Sequence, residues 1–129
     1  MIQTSLYFRH CDEEIESKGD KITEATLLRG TFFILCKQTE KALTDLNNII
    51  NDDTAPVKYK ANALIKRASL HIQQCKDPSK DPELSKADFA KALEIDPDNA
   101  DVHHHRAQVM NLQIIISKLN FYSSGVLVD

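Results

Sequence analysis

Apolar residues recur three and four positions apart along most of this chain. The stretches ATLLRGTFFILC (25–36), ALTDLNNII (42–50), ANALIKRASLHI (61–72) and FAKALEI (89–95) all carry that spacing. On a helix of 3.6 residues per turn such positions gather on one face, so each stretch predicts an amphipathic helix. No run alternates apolar and polar residues for long, and only three glycines and four prolines interrupt the chain. The pattern predicts an all-α fold.

The helices repeat. Arg29-Gly30, Arg67-Ala68 and Arg106-Ala107 each set an arginine before a small residue inside a predicted helix. A second helix follows the first two, carrying Ala42, Leu46 and Ile49 in one case and Ser85, Phe89 and Ala92 in the other. A small residue lets a partner helix approach closely, and the bulky residues fill the seam between them. Punctuation agrees with this division. Thr23 and Asn99 are candidate N-caps, Pro56 suits a first turn, and Asp81-Pro82-Glu83 reads as cap, proline and acid at a helix start. Pro97 stands where a helix must stop.

The ending FAKALEIDPDNADV, with the recurring Arg-small pair, resembles the tetratricopeptide repeat. That resemblance implies helix-turn-helix units stacked into a right-handed superhelical array. The expected division is the end of a preceding repeat at 1–19, with Gly19 as helix stop, and a first unit at 23–56. A second unit follows at 57–99 with a polar loop inserted at 75–83, then the first helix of an incomplete unit at 100–119 and an irregular tail at 120–129. Ile114, Ile115, Ile116, Leu119, Phe121 and Tyr122 have no evident partner helix, so the chain is expected to continue or to carry an alternative ending.

Composition narrows the partners. A formal charge of −3 over 129 residues lacks the basic footprint that nucleic acid or an anionic membrane requires. Cys11, Cys36 and Cys75 are odd in number and form no C-x-x-C, which reads as free thiols. No apolar run approaches the ~20 residues of a membrane span.

Three stretches, EEIESKGDKITEATLLRGTFF, KANALIKRAS and EIDPDNADVHHHRAQ, resemble the middle repeats of the large import receptor of the mitochondrial outer-membrane translocase. The resemblance implies a cytosol-facing array on that membrane that takes up hydrophobic precursor proteins, carrier proteins above all, beside other subunits of the translocase. It also implies an N-terminal anchor, and N-terminal repeats that dock chaperones; this chain is expected to lack both. Two alternatives remain: a general scaffold or co-chaperone module of the same fold, and a truncated product without stable receptor activity.

The concave wall of such an array is built from first helices. The predicted stripe is Glu24, Leu27, Thr31 and Ile34, then Asn62, Ile65, Ser69 and Ile72, then Asp101, His104, Gln108 and Asn111. Its candidate binding residues are Leu27, Thr31, Ile34, Asn62, Ile65, Ser69, Ile72, His104 and Gln108. A clamp for an acidic tail needs charge-assisted donors, and no lysine stands beside Asn62 on this stripe. Leu27, Ile34, Ile65 and Ile72 suit apolar segments instead, or else pack as core. Arg29, Arg67 and Arg106 recur with the repeat, which favours packing roles with their heads on carbonyls or acids. Lys58, Lys60, Lys66 and Arg67 read as a solvated basic face.

His103, His104 and His105 are rotated by about 100° from one to the next on a helix and cannot converge on one ion. His71 and Cys75 have ligand spacing without a third partner. No cofactor motif and no catalytic constellation occurs, so neither a metal nor an enzyme is expected.

Overall fold

A computed structural model describes residues 2–16, 21–74 and 83–123. Among them run six helices and no strand: α1 (Ile2–Glu16), α2 (Ile22–Leu35), α3 (Thr39–Ile50), α4 (Val57–Gln74), α5 (Glu83–Ile95) and α6 (Ala100–Ser123). The chain is all-α, as its periodicity requires.

Each helix packs against the next, and α2, α4 and α6 also touch in sequence along one side. That second set of contacts makes a tetratricopeptide-like array rather than a string of hairpins. Helix α4 is apolar on several sides and serves two seams. Its Ala63 and Leu70 close a cluster with Ala42, Leu46, Ile49 and Ala55. Its Ala61, Leu64, Ile65, Ala68 and Ile72 close another with Phe89, Ala92 and Val102. The small residues of α2 and α4 act as anticipated, whereas Ala107 of α6 is exposed, as is Arg106 before it. Ala68 is fully buried, and a Cβ added at Gly30 would lie 3.3 Å from Asp45 Cβ.

The arginines hold the pairs together. Arg29 donates through Nε and Nη2 to both carboxylate oxygens of Asp45, and through Nη1 to Asp12. Arg67 repeats the fork on Asp88 and sends Nη1 to the Asn47 side chain. The packing role expected of these two is what they perform. At the other end, α1 docks on α2 through Phe8 stacked on Phe33, with Tyr7 beside Phe32. Cys11 is buried there, and burial raises its thiol pKa; Cys36 is exposed and free. Cys75 lies outside the described residues.

Three boundaries differ from expectation. Helix α2 starts at Ile22, so Thr23 lies inside it and makes no cap; Lys21 occupies the cap position without a side-chain bond. Pro56 sits just before α4, where its carbonyl accepts from Tyr59 and Lys60. Helix α6 runs to Ser123, four residues into the stretch expected to be irregular, because no glycine or proline falls between Ala100 and that point. Asn99 does cap α6: its Oδ1 accepts from the backbone of Asp101 and Val102. Gly19, Asp81 and Pro82 lie outside the described residues.

The turn after α2 has a cost. Lys37 adopts φ 59°, while its N–H donates to the Ile34 carbonyl and Gln38 N–H donates to Phe33. This is a Schellman close with lysine where glycine is preferred. Lys37→Gly is therefore expected to stabilise the chain by about 0.5–1 kcal/mol, read as a higher urea midpoint with an unchanged slope.

Candidate functional site

Where α2, α4 and α6 meet on the side formed by the first helices, an open groove of about 390 Å³ runs across them. Glu24, Leu27, Leu28 and Thr31 come from α2, Asn62, Ile65 and Lys66 from α4, and Asp101 and His105 from α6. Four of the predicted binding residues, Leu27, Thr31, Asn62 and Ile65, are thus brought together, with Glu24 and Asp101 of the same stripe. Ile65 is 2% exposed and forms floor; Leu28, 43% exposed, is the apolar side chain most open to a ligand.

The other predicted residues lie elsewhere. Ile72 is buried in the α4–α5–α6 cluster, and Ile34 packs half-buried on the α2–α3–α4 cluster. For these two, core packing takes the place of a groove contact. Ser69 is half-buried and donates its hydroxyl to the Ile65 carbonyl. His104 and Gln108 are exposed on α6, outside the groove lining. Thr31, within the lining, donates to the Leu27 carbonyl, so its oxygen is left as an acceptor.

One repeated position escaped the sequence reading. Leu28, Lys66 and His105 stand four residues after Glu24, Asn62 and Asp101, and all three face the groove. The stripe follows positions i, i+3, i+4 and i+7, and the i+4 row completes the concave face. That spacing is legible in the sequence, but two of the three residues are charged or titratable, which masks a groove position. Lys66 does not belong to a solvated basic face. It is half-buried in the groove, where burial lowers its pKa while Asp101 pulls the other way. Arg67 faces Asp88 instead, and Lys58 lies over the Tyr59 ring, so the expected basic patch is divided among separate contacts. Contrary to expectation, a lysine does stand beside Asn62: Lys66, one turn on, lines the same groove.

The groove's charge still disfavours an acidic tail. Glu24 and Asp101 face one lysine. His105 is held toward its neutral form chiefly by burial, then by Lys66 and His104, with Asp101 opposing them. A histidine whose folded pKa is depressed gives stability that is present above the unfolded value, about 6.5, and lost as pH falls through the folded value. Between pH 7.5 and 5.5, the thermal midpoint of the wild-type chain is expected to fall further than that of His105→Gln. Equal falls would show that His105 carries none of the dependence.

The three histidines take three separate places. His103 donates Nε2–H to the Pro97 carbonyl at the start of α6, His104 is exposed, and His105 lines the groove. No group of three His, Cys, Asp or Glu side chains able to hold a metal comes together among the described residues. Within the same residues, no helix is long and apolar enough to cross a membrane.

Comparison with known proteins bears on what such a groove is for. The chain is 46% identical over 99 residues to the mitochondrial import receptor subunit TOM70 of Homo sapiens, a match covering 77% of this chain and 16% of that protein. It is 43% identical over 108 residues to the subunits of the same name from Rattus norvegicus and Mus musculus, covering 84% of this chain and 17% of each. The chain spans about a sixth of the length of the curated relatives it matches. No family model matches it.

Proposed function

This chain is TOM70-like over some four-fifths of its length, and from that premise we propose that it is a protein-binding module of a mitochondrial import receptor. In this reading residues 23–56 and 57–99 are two tetratricopeptide units and α6 opens a third. The module works at the outer membrane, beside other translocase subunits, and takes hydrophobic precursor proteins of the carrier type.

The observation that carries the reading is the groove itself. Leu27, Leu28 and Ile65 offer an apolar floor and wall, the usual lining of a site that buries a ligand's apolar surface. The Asn62 side chain makes no hydrogen bond among the described residues and offers a donor and an acceptor to a peptide backbone. Thr31 adds an acceptor. Binding and release need no covalent step. The co-chaperone alternative fares worse: a terminal carboxylate needs several convergent donors, and here Lys66 stands against two acids.

The test is a fluorescence anisotropy titration of the purified chain with a labelled hydrophobic segment of a carrier precursor and, separately, an acidic chaperone C-terminus. Leu28→Lys leaves the core intact and puts a charge at the open edge, so it is expected to weaken precursor binding about tenfold, ~1.4 kcal/mol. Binding of the acidic peptide alone would overturn the groove reading.

A further inference from the structure

The amine of Lys66 stands in surroundings unlike those of three exposed lysines. Lys91 pairs with Glu94, Lys41 lies over the Phe33 ring and Lys58 over the Tyr59 ring. Lys66 is half-buried in the groove, and among the described residues its amine takes part in no hydrogen bond and no ion pair. The titratable groups that share the groove with it are Glu24 from α2, and Asp101 and His105 from α6. Asp101 steadies the ammonium from beyond ion-pair reach, a smaller effect than the burial that disfavours it. Burial thus favours the free amine, which is the nucleophilic form of a lysine.

The walls around that amine suit an acyl group. Leu27, Leu28 and Ile65 line the groove with aliphatic surface, and such surface holds a short acyl chain out of water. Asn62, one turn before Lys66 on α4, has a side-chain amide with no hydrogen bond of its own among the described residues. It can donate to a carbonyl oxygen as negative charge develops there.

We propose that Lys66 is an acylation site for short aliphatic acyl thioesters, whose acyl chain lies against Leu27 and Leu28. The free amine attacks the thioester carbonyl carbon, the C–N bond forms and the C–S bond breaks. The nitrogen sheds one proton to solvent and the departing thiolate takes one up, so the products are an amide and a thiol. The amide is uncharged, and the groove passes from two acids and one lysine to two acids alone. The site stands independently of precursor binding, since it needs only the groove's geometry.

The test follows acylation of each lysine in the full folded chain by peptide mass spectrometry. Two small uncharged probes are used, the N-acetylcysteamine thioesters of acetate and of butyrate. At neutral pH Lys66 is expected to react about tenfold faster than exposed Lys37 and Lys91. Butyrate should be preferred over acetate about threefold at Lys66 and not at the exposed lysines. Leu28→Gln, a substitution at an exposed position, should remove that preference. In denaturant the excess at Lys66 should vanish, because the fold builds the site. Three outcomes would overturn the proposal: Lys66 reacting no faster than Lys37 and Lys91, an excess that persists in denaturant, or a chain-length preference that is absent or untouched by Leu28→Gln.

Discussion

Replacing Asp88 with alanine is expected to cost about 3–5 kcal/mol and to lower the thermal midpoint by roughly 10–20 °C. Asp88 is 6% exposed, and both its oxygens accept from Arg67. Without it the guanidinium keeps only Asn47 and stands half-buried beside an apolar seam formed by Ala68, Phe89 and Ala92. The loss is mainly the cost of an uncompensated buried charge, not the worth of the ion pair. A control separates the two. Arg67→Met with Asp88→Leu removes both charges and fills their volume, so it should recover most of the stability. If the double variant is no more stable than Asp88→Ala, the pair contributes net attraction. Chemical denaturation of the three proteins decides.

Val102→Asp should act on one helix. Val102 is fully buried and belongs to the cluster with Leu64, Ile65, Phe89 and Ala92. From Met110 onward the large apolar residues of α6 whose side chains are described are half or more exposed. Docking of α6 thus depends on its first turns. An unpaired carboxylate at 102 costs several kcal/mol in that site, more than so short a contact can offset. The expected result is that α6 amides lose protection from hydrogen exchange while α2–α5 keep theirs. The groove would lose Asp101 and His105 at the same time, and precursor binding with them. Loss of protection throughout the chain would mean that α6 holds the array together and is not an appendage.

The helices and their pairing were legible because the cause is local. Apolar spacing marks each helix, and Arg-small recurs because every first helix needs close approach at the same point. The acids that receive the arginines were not legible. Asp45 and Asp88 lie 16 and 21 residues beyond Arg29 and Arg67, and nothing local distinguishes them from solvated acids. The groove was half legible. Leu27 and Leu28 are adjacent and both apolar, so the sequence permits either as its edge; only the approach of α4 and α6 shows that both take part. Lys66 was hidden by its charge, since a lysine is rarely placed in a cleft on composition alone. Ile34 and Ile72 fit the stripe's spacing but pack into the seams, and spacing alone does not separate the two fates. The length of α6 has a local cause, since the sequence from 111 to 123 contains no glycine or proline to break it.

The most direct measurement is amide chemical-shift mapping of the isotope-labelled chain with a hydrophobic segment of a carrier precursor. The expected result is perturbation concentrated at Leu27, Leu28, Thr31, Asn62, Lys66 and His105, reduced by Leu28→Lys. Shifts confined to the exposed face from Met110 to Tyr122, with the α2–α4 residues unmoved, would contradict the groove as the binding site.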